Sequence, residues 1–198
     1  LVIPEGVTSL SAGIFYNAYA LTSITIPDTV TSMDANGDQF ANCTAVTSVT
    51  LSKNLTELPK TAFFTCKSLK HLPDLSNVTS VGTSCFAGCA ALEEMVIPES
   101  LTFIGANAFA RSSLTEITVL GDPTGLDSAF YNSLNLTTFV APKLTTTGKQ
   151  MFQGCTALVN FIVPDNVTLI GERAFQGCTN LKTLTFPASY KAETLSFG

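Results

Sequence analysis

The fold is decided by residues 162–178, which read IVPDNVTLIGERAFQGC. The phenylalanine of this stretch is the last of eight that recur at intervals of 21 to 25 residues, namely Phe15, Phe40, Phe63, Phe86, Phe109, Phe130, Phe152 and Phe175. Around them the chain repeats one unit, L-x-x-I-x-I-P-x-x-V-T-x-I-G-x-x-A-F-x-G-C. Five columns that keep register over eight copies indicate an internal repeat, which has to be identified before any local structure is assigned.

Each part of the unit predicts a local structure. The L-x-x-I-x-I segment ends in alternating apolar and polar residues, as in Ile24-Thr25-Ile26, and this alternation is typical of a strand. Proline then ends the strand, because it has no N–H to continue a ladder. The V-T-x-I segment is long enough only for a second, brief strand. The A-F-x-G-C segment has turn residues on both sides and predicts a helical or 3₁₀ turn that places its phenylalanine in the interior.

One unit of about 23 residues cannot bury its own apolar side, but stacked units can. We therefore expect a solenoid of about eight coils in which equivalent strands pair in parallel, about 4.8 Å apart. The predicted class is an α/β repeat, with short strands joined by helical or 3₁₀ turns in a single domain over residues 1–198. Residues 188–198 keep little of the repeat beyond Tyr190 and are interpreted as a degenerate tail.

Composition argues against two classes of partner. The 198 residues include 10 Lys and Arg against 15 Asp and Glu, a net charge of −5, and 13% of them are charged. A nucleic-acid-binding surface needs a basic stripe to neutralise phosphates, so no nucleic-acid partner is expected. The mean hydropathy is +0.34, but the apolar run 159–163 ends at Pro164, far short of the roughly 20 residues of a membrane-spanning helix. Membrane insertion is therefore not expected either.

The repeat resembles that of the BspA-like leucine-rich repeat family of bacterial surface proteins, which is also abundant in some parasitic protists. The resemblance extends over residues 1 to about 187. It is clearest in three copies of the motif: Ile3-Pro4…Val7-Thr8…Phe15, Val78-Thr79-Ser80-Val81-Gly82…Cys85-Phe86-Ala87-Gly88-Cys89, and Pro164…Val167…Ile170-Gly171…Ala174-Phe175-Gln176-Gly177-Cys178.

This resemblance implies a curved, right-handed leucine-rich repeat solenoid with a parallel sheet on its concave face. It also implies an extracellular or cell-surface location and binding of host proteins or other macromolecules. The family has no shared catalytic residues, so the resemblance assigns none here. Solenoid ends need a polar cap, yet the chain starts on the apolar Leu1-Val2-Ile3, with no signal peptide before it. From the missing cap we expect the 198 residues to be a fragment of a longer protein, or to lack upstream residues; the absent signal peptide indicates nothing about export.

Six cysteines raise the question of disulfides or a metal site. Five share one column, three residues after the phenylalanine, and the sixth is Cys85; the five are Cys43, Cys66, Cys89, Cys155 and Cys178. Neighbouring coils bring Cα atoms near the lower end of the disulfide range, but stacked side chains point the same way rather than at each other. We expect buried, reduced thiols that pack as small hydrophobes. A zinc site needs two close pairs or Cys/His clusters, so no metal is predicted.

Other chemistry-bearing residues are sparse. His71 is the single histidine, and no nucleophile or phosphate-loop motif accompanies it. Residues 34–38 read Asp-Ala-Asn-Gly-Asp, which begins like a calcium loop, but the glycine is one position early and Ala45 stands where the bidentate glutamate should be. We interpret this stretch as a polar insertion loop. Five Asn-x-Thr sequons are interpreted as by-products of the repeat. Neither catalytic residues nor a cofactor is predicted.

Two surface columns remain as candidate binding sites, because a solenoid normally binds through its sheet. They flank the second apolar position of L-x-x-I-x-I and are expected to point outward. The first column is Ser23, Ser48, His71, Glu94, Glu116, Thr138, Asn160 and Thr183; the second is Thr25, Thr50, Pro73, Val96, Thr118, Val140, Ile162 and Thr185. The first becomes acidic in its middle and the second apolar toward the C-terminal half, a combination found in contact patches. The candidate partner-binding residues are His71, Glu94, Val96, Glu116, Val140, Asn160 and Ile162. Alternatively, such residues occur here only because Val, Ile and Thr favour strands.

These observations favour a non-catalytic adhesion protein, secreted or at the cell surface, that recognises an extracellular protein or glycan through the solenoid surface, with a monomer favoured. A second hypothesis is an extracellular spacer that presents other domains. A hydrolase with a scattered, carboxylate-based active site is the third, and the single histidine disfavours it.

Overall fold

The structure, a computed structural model, describes residues 1–187, so the degenerate tail at 188–198 lies outside the described residues. The described chain is a parallel β-solenoid of about eight coils, as the repeat predicts. Its thirteen strands are β1 (Ser9–Leu10), β2 (Ser23–Thr25), β3 (Ser32–Met33), β4 (Ser48–Thr50), β5 (Glu57–Leu58), β6 (Ser80–Val81), β7 (Glu94–Ile97), β8 (Phe103–Ile104), β9 (Glu116–Val119), β10 (Thr124–Gly125), β11 (Thr138–Val140), β12 (Asn160–Ile162) and β13 (Thr183–Thr185).

The strands of the L-x-x-I-x-I segments form the front sheet, which consists of β2, β4, β7, β9, β11, β12 and β13. Its hydrogen-bonded groups are β2–β4, β7–β9–β11 and β12–β13, all parallel. Exposure alternates along each strand. In β7, Met95 and Ile97 are buried while Glu94 and Val96 are exposed. Successive side chains of a strand point to opposite faces, so the apolar half enters the core and the other half faces solvent.

A second row of two-residue strands comes from the V-T-x-I segments and forms the side sheet, β1–β3 and β5–β6–β8–β10. Its threonines make an additional ladder between coils. Thr79 Oγ1 donates to the Thr56 carbonyl at 3.1 Å, and Thr102 Oγ1 donates to the Thr79 carbonyl at 3.2 Å. Hydroxyl groups thus solvate this surface, as charged side chains do in many soluble proteins. This accounts for the low fraction of charged residues.

The segments around the eight phenylalanines form the turn face, where the expectation of helical or 3₁₀ turns is wrong. Within residues 1–187 the chain contains no helix, so the α/β class is replaced by an all-β solenoid. In a 3₁₀ helix every N–H bonds three residues back. Here alternate groups do so, as Ala87 N–H donates to the Ser84 carbonyl, whereas Phe86 N–H donates to the Ala108 carbonyl of the next coil at 2.8 Å. Coil stacking therefore takes every second donor that a helix would need.

Left-handed backbone accompanies this alternation. In every coil the residues two before and two after the phenylalanine have positive φ, as Ser84 (55°) and Gly88 (75°) do around Phe86. Glycine or asparagine, which tolerate this region best, fill the later position in six coils, at Asn17, Asn42, Gly88, Asn132, Gly154 and Gly177. The other two coils place Thr65 (60°) and Arg111 (59°) there.

The core is built around a continuous column of phenylalanine rings. Neighbouring rings from Phe15 to Phe175 are stacked, with centroids 5.3 to 6.1 Å apart. The six inner rings are completely buried. Such offset stacks satisfy the quadrupoles of the rings while excluding water. In the same described residues no helix is long and apolar enough to cross a membrane.

Candidate functional site

All seven candidate partner-binding residues are exposed. Six of them lie on strands of the front sheet, and His71 lies in the coil between β4 and β7 that forms no strand there. The apolar ones are unusually accessible for their type, with Val96 61%, Val140 44% and Ile162 73% exposed. Their exposure follows from strand alternation, because each lies next to an inward-facing apolar residue on the same strand. Their role in binding stays a prediction.

The structure brings three of these residues together. His71, Glu94 and Val96 line one open cavity of about 400 Å³, whose wall also includes Asp74 and Pro98. The cavity lies where the front sheet is interrupted, because residues 71–73 form no strand between β4 and β7.

The predicted outward orientation of Pro73, in the second column, is wrong. The sequence pattern expects it to point outward, but it is buried. Proline lacks the N–H that a parallel ladder requires, so this coil leaves strand geometry at that point. The second outward column is therefore broken in the third coil, between Thr50 and Val96.

Two carboxylates stand side by side in the middle of the front sheet. Glu94 of β7 is the register partner of Glu116 of β9, and Glu116 in turn pairs with Thr138 of β11. Directly opposed residues on neighbouring strands have Cβ atoms about 5 Å apart, a spacing at which like charges destabilise the sheet. Glu116 does not line the cavity around His71. Its contribution to a binding site is therefore through its charge rather than through shape.

A second cavity of about 340 Å³ brings Val140 and Ile162 together, beside Pro142 and Pro164. Its floor includes Phe139, which stacks on Phe161 of the next coil with centroids 5.8 Å apart. This region is the most apolar part of the front sheet.

Asn160, the last candidate, lies beside this second cavity without lining it. Its Oδ1 accepts a hydrogen bond of 2.6 Å from Thr183 Oγ1, so the side chain is held by the following coil.

Five of the cysteines occupy the buried column that the sequence predicts, Cys85 is buried outside it, and all six are free. The thiols of the shared column donate to the phenylalanine carbonyl of the preceding coil, as Cys66 Sγ does to Phe40 at 3.4 Å. Burial raises the pKa of Cys89 and of Cys155 to about 12. Because the thiolate is the nucleophile and the metal ligand, these thiols are unreactive. Within residues 1–187 no group of three or more His, Cys, Asp or Glu side chains is placed to hold a metal ion.

The insertion at 34–38 is tied to its own coil and to the next one. Asp34 Oδ1 accepts from Asn36 N–H at 2.8 Å, and the Asp34 carbonyl accepts from Gln39 Nε2 at 2.9 Å. Gly37 has a φ of 82°, and a Cβ there would lie 1.9 Å from the Lys60 carbonyl oxygen. The glycine thus serves close packing between coils.

A third cavity, the turn-face cavity, was not found by sequence reasoning. It has a volume of about 260 Å³ and is lined by Phe64 and Tyr131, each one residue after the phenylalanine of its coil. The two intervening coils carry Ala87 and Ala110 at this position, so two aromatic rings flank a shallow floor. Arg111 lies at its edge, with Cζ 6.0 Å from the centroid of the Tyr131 ring.

A signal for this cavity exists in the sequence. The column that follows the phenylalanine reads Tyr16, Ala41, Phe64, Ala87, Ala110, Tyr131, Gln153 and Gln176. Two small residues between two aromatic ones mark a groove once the coils are stacked.

Comparison with solved structures identifies similar solenoids. A leucine-rich repeat protein from Bacteroides ovatus is 27% identical, with a TM-score of 0.70 over 83% of this chain and 45% of that one. A leucine-rich repeat protein from Eubacterium ventriosum is 19% identical, with a TM-score of 0.57 over 96% of this chain and 67% of that one, a likeness in fold. The chain thus spans less than half the length of the Bacteroides protein. A search of curated proteins found no match.

A family model supplies the remaining comparison. The model of the BspA type leucine-rich repeat region, present in six copies, matches residues 8–128 and 126–197. These residues include nearly every coil of the solenoid, so the resemblance seen in the repeat motif is confirmed. The chain belongs to the BspA-type leucine-rich repeat family.

Proposed function

We propose that this solenoid is a non-catalytic binding protein, secreted or at the cell surface, that recognises a protein partner through its front sheet. The observation that carries the proposal is the exposed apolar strip of Val96, Val140 and Ile162, with Thr118 between the first two, beside the paired Glu94 and Glu116. The family resemblance, which implies a concave, right-handed solenoid at the cell surface, supports it.

The apolar strip favours a protein over a glycan. Exposed valine and isoleucine side chains gain free energy when a partner's apolar groups exclude water from them, about 25 cal/mol per Å² buried. Sugars are held by aromatic faces and convergent polar groups, and the two outward columns contain no Phe, Tyr or Trp. The second cavity, between Val140 and Ile162, would receive an apolar side chain of the partner.

The carboxylate pair favours a partner with a basic patch. Glu94 and Glu116 repel one another in the free protein, and a lysine or arginine placed between them removes that repulsion. Their position beside the apolar strip gives an apolar centre with charges next to it, which is the usual anatomy of a protein interface. Charges of this kind steer association and fix its register more than they add affinity.

The test is a charge reversal on the front sheet. The protein and a Glu94→Lys/Glu116→Lys variant are used to capture partners from extracellular material, and association with each purified partner is then measured at low and high salt. The reversal is expected to lower the affinity about tenfold or more, chiefly through the association rate. The matched control is Glu5→Lys/Glu57→Lys, which makes the same change of charge at exposed residues outside the front sheet.

Three outcomes contradict the proposal. If the reversal leaves binding intact, the front sheet is not the contact surface. If the control pair weakens binding equally, the effect is one of net charge. If neither the protein nor its variants capture any partner, the chain is better described as an extracellular spacer.

A further inference from the structure

At the edge of the turn-face cavity, Arg111 stands at a backbone position that has positive φ in every coil. Arg111 has a φ of 59° at a position where six of the eight coils use glycine or asparagine. Thr65 is the other exception at this position, so the conformation belongs to the repeat, and what distinguishes Arg111 is its side chain.

The side chain of Arg111 is positioned and has no anionic partner. Within residues 1–187 no carboxylate pairs with it, whereas the chain's other arginine, Arg173, contacts Glu172 at 3.3 Å. The Tyr131 ring lies under the guanidinium at 6.0 Å, a cation–π distance that holds the group over the cavity. No acidic residue lines the cavity, so a chain of net charge −5 presents a localised positive charge here.

The remaining lining combines ring faces with free polar groups. Phe64 is 37% exposed, and it faces Tyr131 across three coil spacings, roughly 14 Å. Between them Thr65, Ser84 and Asn107 contribute hydroxyl and amide groups. Within the described residues these three side chains make no hydrogen bond to protein atoms. They are therefore available to a ligand.

We propose that the turn-face cavity binds an acidic sugar, one uronate residue of an oligosaccharide. The planar guanidinium of Arg111 accommodates a carboxylate in bidentate fashion. Because Phe64 and Tyr131 lie roughly 14 Å apart, a single pyranose lays its C–H face on only one of these rings, and an adjoining sugar residue reaches the other. Ser84 and Asn107 pair with the sugar hydroxyl groups. The volume of about 260 Å³ admits one or two sugar residues rather than a longer stretch, and the chain of the oligosaccharide continues into solvent.

This site is separate from the front sheet, so sugar binding at the turn face can be tested independently of the proposed protein binding at the front sheet. Its residues lie on the turn face, and none of them belongs to the outward columns.

The experiment is calorimetric titration of the whole chain with oligogalacturonate, oligomannuronate and hyaluronan fragments. Methyl-esterified oligogalacturonate is the matched neutral probe, and an aspartate-rich peptide is the non-sugar anion. At least one uronate oligosaccharide is expected to bind, and its methyl ester is expected to bind about tenfold or more weakly, the factor that a charge-assisted hydrogen bond contributes.

The test substitutions are taken from residues that other coils carry at equivalent positions. Arg111→Gly installs the residue that other coils carry at this position, so stability is expected to be retained or raised while uronate affinity falls about tenfold or more. Arg173→Gly removes the same charge at a φ of 55° outside the cavity and is expected to leave affinity unchanged. Phe64→Ala and Tyr131→Gln, also residues found in the same column of other coils, are each expected to weaken binding.

Several results would overturn the proposal. These are no binding of any uronate oligosaccharide at millimolar concentration, equal binding of the methyl ester, or equal loss of affinity in Arg111→Gly and Arg173→Gly. Preferential binding of the aspartate-rich peptide would assign the cavity to acidic peptides instead.

Discussion

At the scale of single residues, glycine is required where coils approach most closely. The glycine that ends V-T-x-I-G lies against the backbone of the preceding coil. A Cβ built on Gly105 would lie 2.5 Å from the Thr83 nitrogen, and one built on Gly82 would lie 2.5 Å from the Lys60 nitrogen. These neighbours are backbone atoms, which cannot rotate away as a side chain can.

Gly105→Ala is therefore expected to destabilise the solenoid by about 2 kcal/mol, in the range of overpacking in a well-packed interior. The free energy of unfolding in urea measures it. Gly6→Ala is the matched control, because nothing lies within 4 Å of the position of its Cβ. Equal effects of the two substitutions would contradict close packing as the cause.

The buried thiols make stability depend on alkaline pH. In the unfolded chain a cysteine ionises near its ordinary pKa of 9.0, whereas burial raises the pKa of Cys89 and Cys155 to about 12 in the folded protein. Above pH 9 the unfolded state releases protons that the folded state keeps, so unfolding becomes more favourable. The stability contributed by the neutral thiols is complete below pH 9 and is lost progressively as the pH rises toward 12.

The expected slope is a loss of up to about 1.4 kcal/mol per pH unit for each such thiol. Urea unfolding between pH 8 and pH 10.5 measures it. A Cys89→Ser/Cys155→Ser variant should show a smaller slope, since serine already fills this column as Ser112 and Ser133, whose hydroxyls share a 3.0 Å hydrogen bond. An unchanged slope in the variant would assign the pH dependence to other groups.

At the scale of elements, the ring column holds neighbouring coils in register. The Phe86 ring stacks on Phe63 with centroids 5.3 Å apart and on Phe109 at 5.7 Å. The backbone of the same residue donates to the next coil. Side-chain stacking and the inter-coil ladder therefore act at the same position, and loss of one ring leaves a cavity between two others.

Phe86→Ala is expected to cost about 3–5 kcal/mol of unfolding free energy, as other buried phenylalanine truncations do. Phe103→Ala is the control. Phe103 lies on strand β8 of the side sheet and is 44% exposed, so little stabilising contact is removed. Chemical denaturation of both variants tests the difference, and comparable losses would mean that the column is not the dominant packing element.

At the scale of the whole molecule, stability rests on stacking rather than on ion pairs. The ion pairs of residues 1–187 are Lys53 with Asp28, Lys143 with Glu99 and Arg173 with Glu172, all between well-exposed side chains. Pairs of this kind contribute about 0–1 kcal/mol each and are screened by salt. Backbone ladders, threonine hydroxyls and apolar columns repeat in nearly every coil.

Raising sodium chloride from about 0.05 to about 0.5 M, which screens exposed pairs, should therefore change the free energy of unfolding by less than about 1 kcal/mol. Thermal or urea unfolding at the two salt concentrations tests this. A loss of several kcal/mol would show that charged groups contribute more to the solenoid than its structure indicates.

The outward residues of the front sheet could be predicted because strand alternation is a local rule. One apolar column facing inward places Glu94, Val96 and Ile162 outside. The rule failed at Pro73, because a missing N–H changes the path of the backbone. Whether the exposed residues bind anything depends on a partner, and no property of the repeat specifies that partner.

The sequence by itself determined the number of coils, their parallel stacking and the identity of the core columns. Each of these follows from a periodic apolar pattern that one unit cannot bury alone. The tertiary structure alone decided the turn face, because its N–H groups are divided between their own coil and the next, and local pattern cannot express that competition. The tertiary structure also decided where the turn-face cavity lies. Phe64 and Tyr131 are far apart in sequence and line one cavity only because the coils are stacked, which places the two residues three repeat intervals apart.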